Sequence, residues 1–391
     1  MEATMQNTTR RNFLRLAGGG SVAAITLPLT GCDAMPAEAV AAWNGPASSE
    51  TDPRRRALAW ALLAPNPHNM QPWLADLRQP GRIDLYIDRT RLLPETDPFG
   101  RQIVIGHGCF IELLVLAAAD EGWEVAVEYF PAGPVSETVL PDQADRPLAQ
   151  LVFRKAAEKR PDTLFAQATR RRSNKETYEA KPLLPEHARA LAASHAGPGT
   201  RLILHTDAAM VAQLKGITQQ AGRIEIETPR TLLESVERTR IGAAAIRAQP
   251  DGIDLHGPLF WWLRQLGMMT PEKAMTPGSM AWQGGMDYMM KGPASAAAFG
   301  LLVTPGNSRR DQIEAGRAYL RLNLKATELG VAMHPLSQVL QEYAEMAALQ
   351  AEFLKQQGIV PGQRVQMLFR LGYAALPEPA PRRRLEALLM T

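Results

Sequence analysis

The chain has 391 residues, 46% of them hydrophobic and 21% charged, with a formal net charge of +3. This is an ordinary globular composition, long enough for two domains or one two-lobed body, and its near-neutral balance excludes a general electrostatic case for nucleic acid. Its two cysteines, Cys32 and Cys109, exclude a disulfide framework, and no CxxC, HExxH or other metal-spaced cluster occurs, so no metal site is assigned.

Residues 1–31 read as an export signal. Thr9-Arg10-Arg11-Asn12-Phe13-Leu14 has the twin-arginine pattern, and an apolar stretch from Leu16 to Leu29 follows, broken by Gly18, Gly19 and Gly20. A mature membrane-spanning helix needs about 20 apolar residues, so this stretch fits a cleaved address. Leu29-Thr30-Gly31-Cys32 has the pattern of a bacterial lipoprotein cleavage site, which would leave Cys32 as a lipidated N-terminus. Plain cleavage nearby, giving a soluble product, is the alternative. The twin-arginine (Tat) translocase carries chains already folded, usually around a cofactor. The expected location is therefore the periplasm, anchored to the inner membrane through Cys32, with Asp33 resembling the retention signal of enteric lipoproteins. Loss of Glu2, Arg10, Arg11 and Arg15 with the signal leaves a mature chain close to neutral.

Residues 32–53, rich in Ala and Ser with Pro36, Pro46 and Pro53, read as a flexible tether. A first half is placed over 54–161. It starts with a helix near Pro53, where Leu58, Leu62 and Leu63 recur at helical spacing. A strand from Arg82 to Asp88 follows, then an apolar helix from Ile103 to Gly122 and strands at Val125 to Phe130 and Leu148 to Phe153. A second half is placed over 162–391, with strands at Arg201 to His205, Phe299 to Val303 and Gln366 to Tyr373. An insertion at about 227–297 interrupts it, holding Trp261, Trp262 and Trp282 with Met268, Met269, Met275, Met280, Met286, Met289 and Met290.

The apolar helix has a copy 208 residues later. Ile105, Gly108, Leu114, Leu116, Ala118 and Gly122 superpose on Ile313, Gly316, Leu322, Leu324, Ala326 and Gly330. Two copies predict a duplicated domain packed about a pseudo-twofold axis, in the manner of a symmetric dimer. The fold class expected is α+β with two pseudo-equivalent halves, a monomer acting as an internal pseudo-dimer.

Three segments carry candidate chemistry: Ala64 to Trp73, reading A-P-N-P-H-N-M-Q-P-W; Arg170-Arg171-Arg172-Ser173-Asn174-Lys175; and Gly372-Tyr373 followed by Pro381-Arg382-Arg383-Arg384. Singly, each also reads as a closing loop or a solvated surface run. In this order and spacing they resemble the nitroreductase family of FMN-dependent oxidoreductases, above all its tandem, Acg-like branch. The similarity covers about 54–391 outside the insertion. The family's R-x-S-x-R/K motif matches Arg171, Ser173 and Lys175, and its A-P-S-x-x-N-x-Q-P-W loop places Asn69 at the flavin-contacting Asn. Its basic tail matches Arg382 and Arg384, and Gly330 to Gln338 resembles the segment along the flavin's N5 edge.

The resemblance implies one FMN. Its phosphate would be held by Arg171, Arg382 and Arg384 through paired, charge-assisted hydrogen bonds. Ser173 belongs to the same motif, Lys175 would face the N1/O2 end of the ring, and Asn69 would address its polar edge. Pro335, Ser337 and Gln338 would line the N5 edge, the last two through backbone amides. No side chain is assigned as a catalytic acid or base, since the flavin performs the redox step; His68 and His334 lie beside these loops as proton donors or as packed histidines. Only the first half carries the Asn loop and only the second the phosphate motif and tail, so one site is kept and its mirror image is lost. Asn66-Pro67 replaces the family's Ser pair, and Lys175 replaces the more frequent Arg.

The expected function is an exported, FMN-dependent oxidoreductase with an unidentified small-molecule substrate or quinone. Soluble NAD(P)H is not expected outside the cytoplasm, so the donor is a quinol or a redox protein. A non-catalytic flavin-holding protein and a Met-rich copper(I)-binding lipoprotein are the alternatives, and the insertion reads as a clasp on the other half, a lid or a thioether site.

Overall fold

Two four-stranded antiparallel sheets with the same strand order organise the chain. The computed structural model describes residues 33–390, apart from 134, 139, 141–145 and 195–198, so the export signal and Cys32 lie outside the described residues. The first half holds helix α1 (Pro53–Ala61), β1 (Trp73–Asp76), β2 (Arg82–Ile87), helix α2 (Arg101–Asp120), β3 (Trp123–Tyr129) and β4 (Ala149–Lys155). Helix α1 starts where its chemistry dictates: Pro53 occupies the first turn and the Asp52 carboxylate accepts the Arg54 N–H at 2.9 Å.

The second half opens with α3 (Pro185–Ser194) and β5 (Arg201–His205). A long excursion follows, made of α4 (Ala208–Glu227), α5 (Pro229–Glu237), β6 (Thr239–Ile241), α6 (Ala243–Ala248), β7 (Ile253–Leu255), α7 (Pro258–Gln265), α8 (Pro271–Ala274) and α9 (Met280–Ala294). The chain then returns through β8 (Ala298–Thr304), α10 (Arg309–Glu328), β9 (Ala332–Pro335), α11 (Ala347–Gln356) and β10 (Arg364–Gly372). The sheets run β1-β2-β4-β3 and β5-β8-β10-β9. Writing β5, β8, β9 and β10 for β1, β2, β3 and β4 turns one order into the other. In each half a 20-residue helix joins the second strand to the third. The α+β class with two pseudo-equivalent halves is thus the observed one.

The halves meet where α2 crosses α10, at the residues that the repeat aligned. A Cβ added to Gly108 would lie 2.1 Å from the Ile313 carbonyl oxygen, and one added to Gly316 would lie 2.0 Å from that of Ile105. These reciprocal contacts need glycine because backbone touches backbone. Helix α2 is long and apolar enough to cross a membrane, yet it is 83% buried in the protein core. Cys109 is buried at the same crossing and donates to the Gly316 carbonyl at 3.1 Å, while burial pushes its thiol up to about 12. That makes it a packing residue and not a reactive one.

A second symmetric pair lies outside the aligned window. Arg101 and Arg309, also 208 apart, are both buried at the first turn of these helices. Arg101 donates to the carbonyls of Leu340 and Gln366 in the second half, at 2.7 and 2.8 Å. Arg309 donates to those of Phe99 and Ser136 in the first, at 2.6 and 2.8 Å. Each half therefore caps the other's backbone with a buried guanidinium.

Two expectations are corrected. The excursion joins β5 to β8, the place of the short β1–β2 connection, so it includes α4 and begins about twenty residues before the expected 227. The segment 33–53 is not a free tether. Residues 37–39 and 41–44 form 3-10 turns, the Trp43 indole donates to the Ala380 carbonyl at 2.8 Å, and the Arg382 N–H reaches the Ala39 carbonyl at 2.7 Å. Its Pro/Ala/Ser composition carries little local order, and tertiary contacts, among them one buried tryptophan, hold it in place.

Candidate functional site

The loop between α1 and β1 is held in an unusual conformation. His68, Asn69 and Gln71 all have left-handed backbone angles, with φ of 48°, 52° and 53°. Non-glycine residues avoid this region, so three in one loop require outside support. That support comes from distant parts of the chain. The Gln71 N–H donates to Asn66 Oδ1 at 2.7 Å, and its side chain donates to Pro250 O at 2.9 Å and accepts from the Arg383 N–H at 2.7 Å. The Asn69 carbonyl accepts from the Gly252 N–H at 3.1 Å. The Asn69 side chain donates to Pro381 O at 3.1 Å and accepts from Arg382 Nη1 at 2.7 Å.

The three segments singled out in the sequence converge on this loop. The Leu63 carbonyl, at the end of α1, accepts from Arg171 Nη2 at 2.7 Å and from Arg382 Nη2 at 3.4 Å. Arg171 also donates to Asn323 Oδ1 at 3.0 Å, and Arg172 to the Thr169 and Arg171 carbonyls at 2.8 and 2.9 Å. All three guanidiniums gather around Trp43, with their central carbons 5.9, 4.0 and 5.2 Å from its ring for Arg171, Arg172 and Arg382.

This cluster has no carboxylate in contact with it among the described residues, and only the charge of Asp254 acts on Arg382 from a distance. Among the described residues no carboxylate forms an ion pair with Arg171, Arg172 or Arg382, and the buried Nε of each lacks a partner. Burial pushes Arg171 and Arg172 down to about 10. It pushes Arg382 down to about 9, helped by the charge of Arg171. Arg309 and Arg370 are also buried without a carboxylate, but there every part of the guanidinium, Nε included, meets an acceptor: Arg309 Nε donates to the Ser136 carbonyl at 2.8 Å and Arg370 Nε to His334 Nδ1 at 3.2 Å. Cations buried without a partner are costly, and unmet donors ask for an acceptor. Three convergent guanidiniums with free N–H groups fit a multiply charged oxyanion.

Arg384, assigned to the phosphate by the resemblance, is not part of this cluster. It is exposed at the start of the C-terminal 3-10 turn, where its charge acts on Glu38. Arg172 and Trp43 stand in the cluster instead. Arg172 was within the sequence motif but passed over as its variable position; Trp43 lay in a segment dismissed on composition. Arg383 is structural, binding the Gln71 and Ala387 carbonyls at 3.1 and 2.5 Å.

A polar zone adjoins the cluster. The Lys175 ammonium is exposed and makes no ion pair among the described residues, and its charge acts on His68, His334 and Asp254. Burial, then Lys175 and Arg238, push His68 down to about 4, and its Nε2 lies 3.2 Å from Ser235 Oγ. Burial, then Arg370 and Lys175, hold His334 well below the usual range, and Arg370 Nε donates to its Nδ1 at 3.2 Å. Both imidazoles are therefore neutral at pH 7 and packed in hydrogen bonds. Ser173 is half-buried, and the neighbouring Asn174 N–H donates to the Met333 carbonyl of β9 at 2.9 Å, which lays the Arg171–Lys175 segment beside the Gly330–Gln338 segment. Pro335, Ser337 and Gln338 are half-buried there, with Gln338 facing Met289 of α9.

The excursion clasps the first half. Glu234 accepts from the backbone N–H groups of Glu95 and Thr96, at 3.1 and 2.9 Å. Asp251 pairs with Arg91 and Arg240 at 2.5 and 2.8 Å. A cavity of about 730 Å³ opens elsewhere, lined by Tyr178, Lys181, Lys215, Lys291 and Ser295.

No family model matches the sequence. A Mycobacterium tuberculosis protein named "Putative NAD(P)H nitroreductase" is 27% identical over 371 residues, covering 88% of this chain and 95% of that one. The similarity runs nearly end to end. A second from that organism, "Putative NAD(P)H nitroreductase acg", is 35% identical over 81 residues, 21% of this chain and 24% of its own. Among solved structures, a nitroreductase with bound FMN from Bacteroides fragilis covers 57% of this chain and 94% of its own, at 14% identity and a TM-score of 0.32. A "putative nitroreductase" from Anabaena variabilis covers 80% of this chain and 82% of its own, at 12% identity and a TM-score of 0.41.

Proposed function

We propose that the protein is an exported, FMN-dependent oxidoreductase holding one FMN between its halves. The observation that carries this reading is the uncompensated guanidinium cluster. Arg171, Arg172 and Arg382 would receive the cofactor's phosphate, which carries nearly two negative charges, and their partnerless Nε groups supply donors that the protein itself does not use. Bound FMN would supply the electron transfer. Lys175 would favour its reduced, anionic form, since a cation near the ring raises the potential. Asn69 is held by Arg382 and Pro381 so that its amide stands beside the cluster, and the backbone of Ser337 and Gln338 offers further donors. Neutral His68 and His334 give no acid at pH 7, consistent with protons drawn from solvent.

The relatives' names refer to NAD(P)H. For a chain carrying a twin-arginine signal, delivered by the Tat translocase and tethered in the periplasm to the inner membrane through Cys32, a quinol or a redox protein is the donor that fits. The substrate is a small molecule or a quinone. A non-catalytic flavin holder is favoured by one observation, the excursion's hold on the Asn69 loop through Gly252 and Ser235. The copper(I) reading has less support: Met286 is buried, and Met289 packs on Gly222 of α4. Turnover separates the first two. The yellow protein is expected to bleach with a water-soluble quinol and to recover its colour with a quinone or nitroaromatic acceptor. Colour that persists under reductants of that size marks a sealed holder.

A further inference from the structure

The chain enters the described structure at Asp33, and what it meets there is informative. Asp33 has a left-handed backbone, φ 67°, and is pinned from two sides. Its carboxylate accepts the Ala243 N–H at 2.7 Å, and its carbonyl accepts the Gly257 N–H at 3.0 Å. Gly257 is the residue that starts α7. Asp33, the residue covalently next to Cys32 in the sequence, is thus fixed at the foot of that helix.

Helix α7 presents large apolar side chains to solvent. It contributes no fully buried residue, and Leu259, Trp262 and Leu266 are 42%, 40% and 64% exposed. Their spacing of three and four puts them on one stripe about 10 Å long. Trp261 braces Trp262 edge-on, with ring centroids 4.7 Å apart. Arg264 is tied back to the Ile241 carbonyl at 3.0 Å, which keeps its charge on the side of Asp33 and Gly242. A short helix with leucine and tryptophan on its outer face and a cation at its flank has the make-up of an interfacial membrane contact.

We infer that the Leu259–Trp262–Leu266 face of α7 lies in the lipid interface beside the anchor. The inference rests on the lipid attachment at Cys32 proposed above. Asp33, fixed at the foot of α7, follows the lipidated residue directly in the sequence, so an anchor there would leave the helix no further search to reach the headgroups. Lipid and helix together give the two signals that stable membrane attachment requires. The anchor and the helix also fix the orientation of the body on the membrane, which a flexible tether would not do.

The test uses the full-length, processed protein on phosphatidylethanolamine–phosphatidylglycerol vesicles with brominated acyl chains, which quench tryptophan at the membrane. Quenching is expected in the parent and is expected to be lost in Trp262→Phe, a substitution that keeps the fold, as circular dichroism will verify. In a Cys32→Ala chain, which lacks the anchor, Leu259→Asp is expected to lower vesicle partition about tenfold or more. Equal quenching in Trp262→Phe and parent overturns the inference. So does dimerisation of the soluble chain that Leu259→Asp abolishes, which would assign the face to a second copy. Equal partition of the parent and Cys32→Ala would defeat the lipid anchor alone, and Trp262 quenching would still decide the docking.

Discussion

Arg172→Ala is expected to release FMN, and Arg384→Ala is expected to leave it bound. The sequence motifs assigned Arg384 to the phosphate and left Arg172 unassigned, whereas the geometry places Arg172 in the cluster and Arg384 outside it. Arg172 stands 4.0 Å over Trp43 among the unpaired guanidiniums, whereas Arg384 is exposed. Loss of a charge-assisted contact costs about 1.5–3 kcal/mol, which is roughly tenfold to a hundredfold in affinity. Arg171→Ala and Arg382→Ala should show effects of the same size. Asn69→Ala should also weaken retention, although Asn69 is about a hundred residues from Arg171. Lys175→Ala should lower the flavin's reduction potential, because it removes the cation outside the phosphate cluster. Flavin fluorescence during equilibrium dilution, with a redox titration for Lys175, measures all six. Release by Arg384→Ala together with full retention by Arg172→Ala would contradict the site.

A second large effect concerns the ligand-free chain. Folding lowers the guanidinium of Arg382 to about 9 and those of Arg171 and Arg172 to about 10. A base whose folded value lies below its unfolded one binds fewer protons in the folded state. Stability therefore rises as pH climbs through about 9 toward 12.5, and the penalty is fully present at pH 7. An uncharged residue of similar length removes that penalty. Arg382→Met is therefore expected to stabilise the ligand-free protein by about 1 kcal/mol or more, raising Tm by roughly 1–2 °C. Inorganic phosphate should raise the Tm of the ligand-free parent and do so less in the variant. A lower Tm for Arg382→Met, with no response of the parent to phosphate, would show that the cluster is satisfied by its own carbonyls and needs no anion. The cluster would then be structural, and stability would not have been given up for binding.

Much of this was legible in the sequence because the relevant signals are local or periodic. The apolar helix and its copy gave the duplication, and their shared Gly108 and Gly316 proved to be the crossing point. The strand at Arg201–His205 was placed to the residue, since a short apolar run, Leu202-Ile203-Leu204, bounded by polar residues needs no tertiary help. The strands β1 and β9 were missed because each has only four residues and sits inside a loop motif. Trp43 and Arg172 were missed for a different reason. Nothing local marks an indole from an Ala/Pro-rich segment as the platform for three arginines that are distant in sequence. The unpaired state of those arginines is likewise a property of what surrounds them, not of the run Arg170-Arg171-Arg172. Arg384 was overvalued because a basic tail read as a pattern cannot tell which of three consecutive arginines turns inward; burial of Arg382 and Arg383 decides it.

The central claim is that a duplicated fold keeps one anion-binding cofactor site and has lost its mirror image. The most direct measurement is the stoichiometry of FMN binding to the flavin-free chain, by titration with isothermal calorimetry and absorption at equilibrium. One FMN per chain is predicted, with none bound once Arg171 and Arg382 are both replaced. Two FMN per chain, or one that survives the double replacement, would contradict the account.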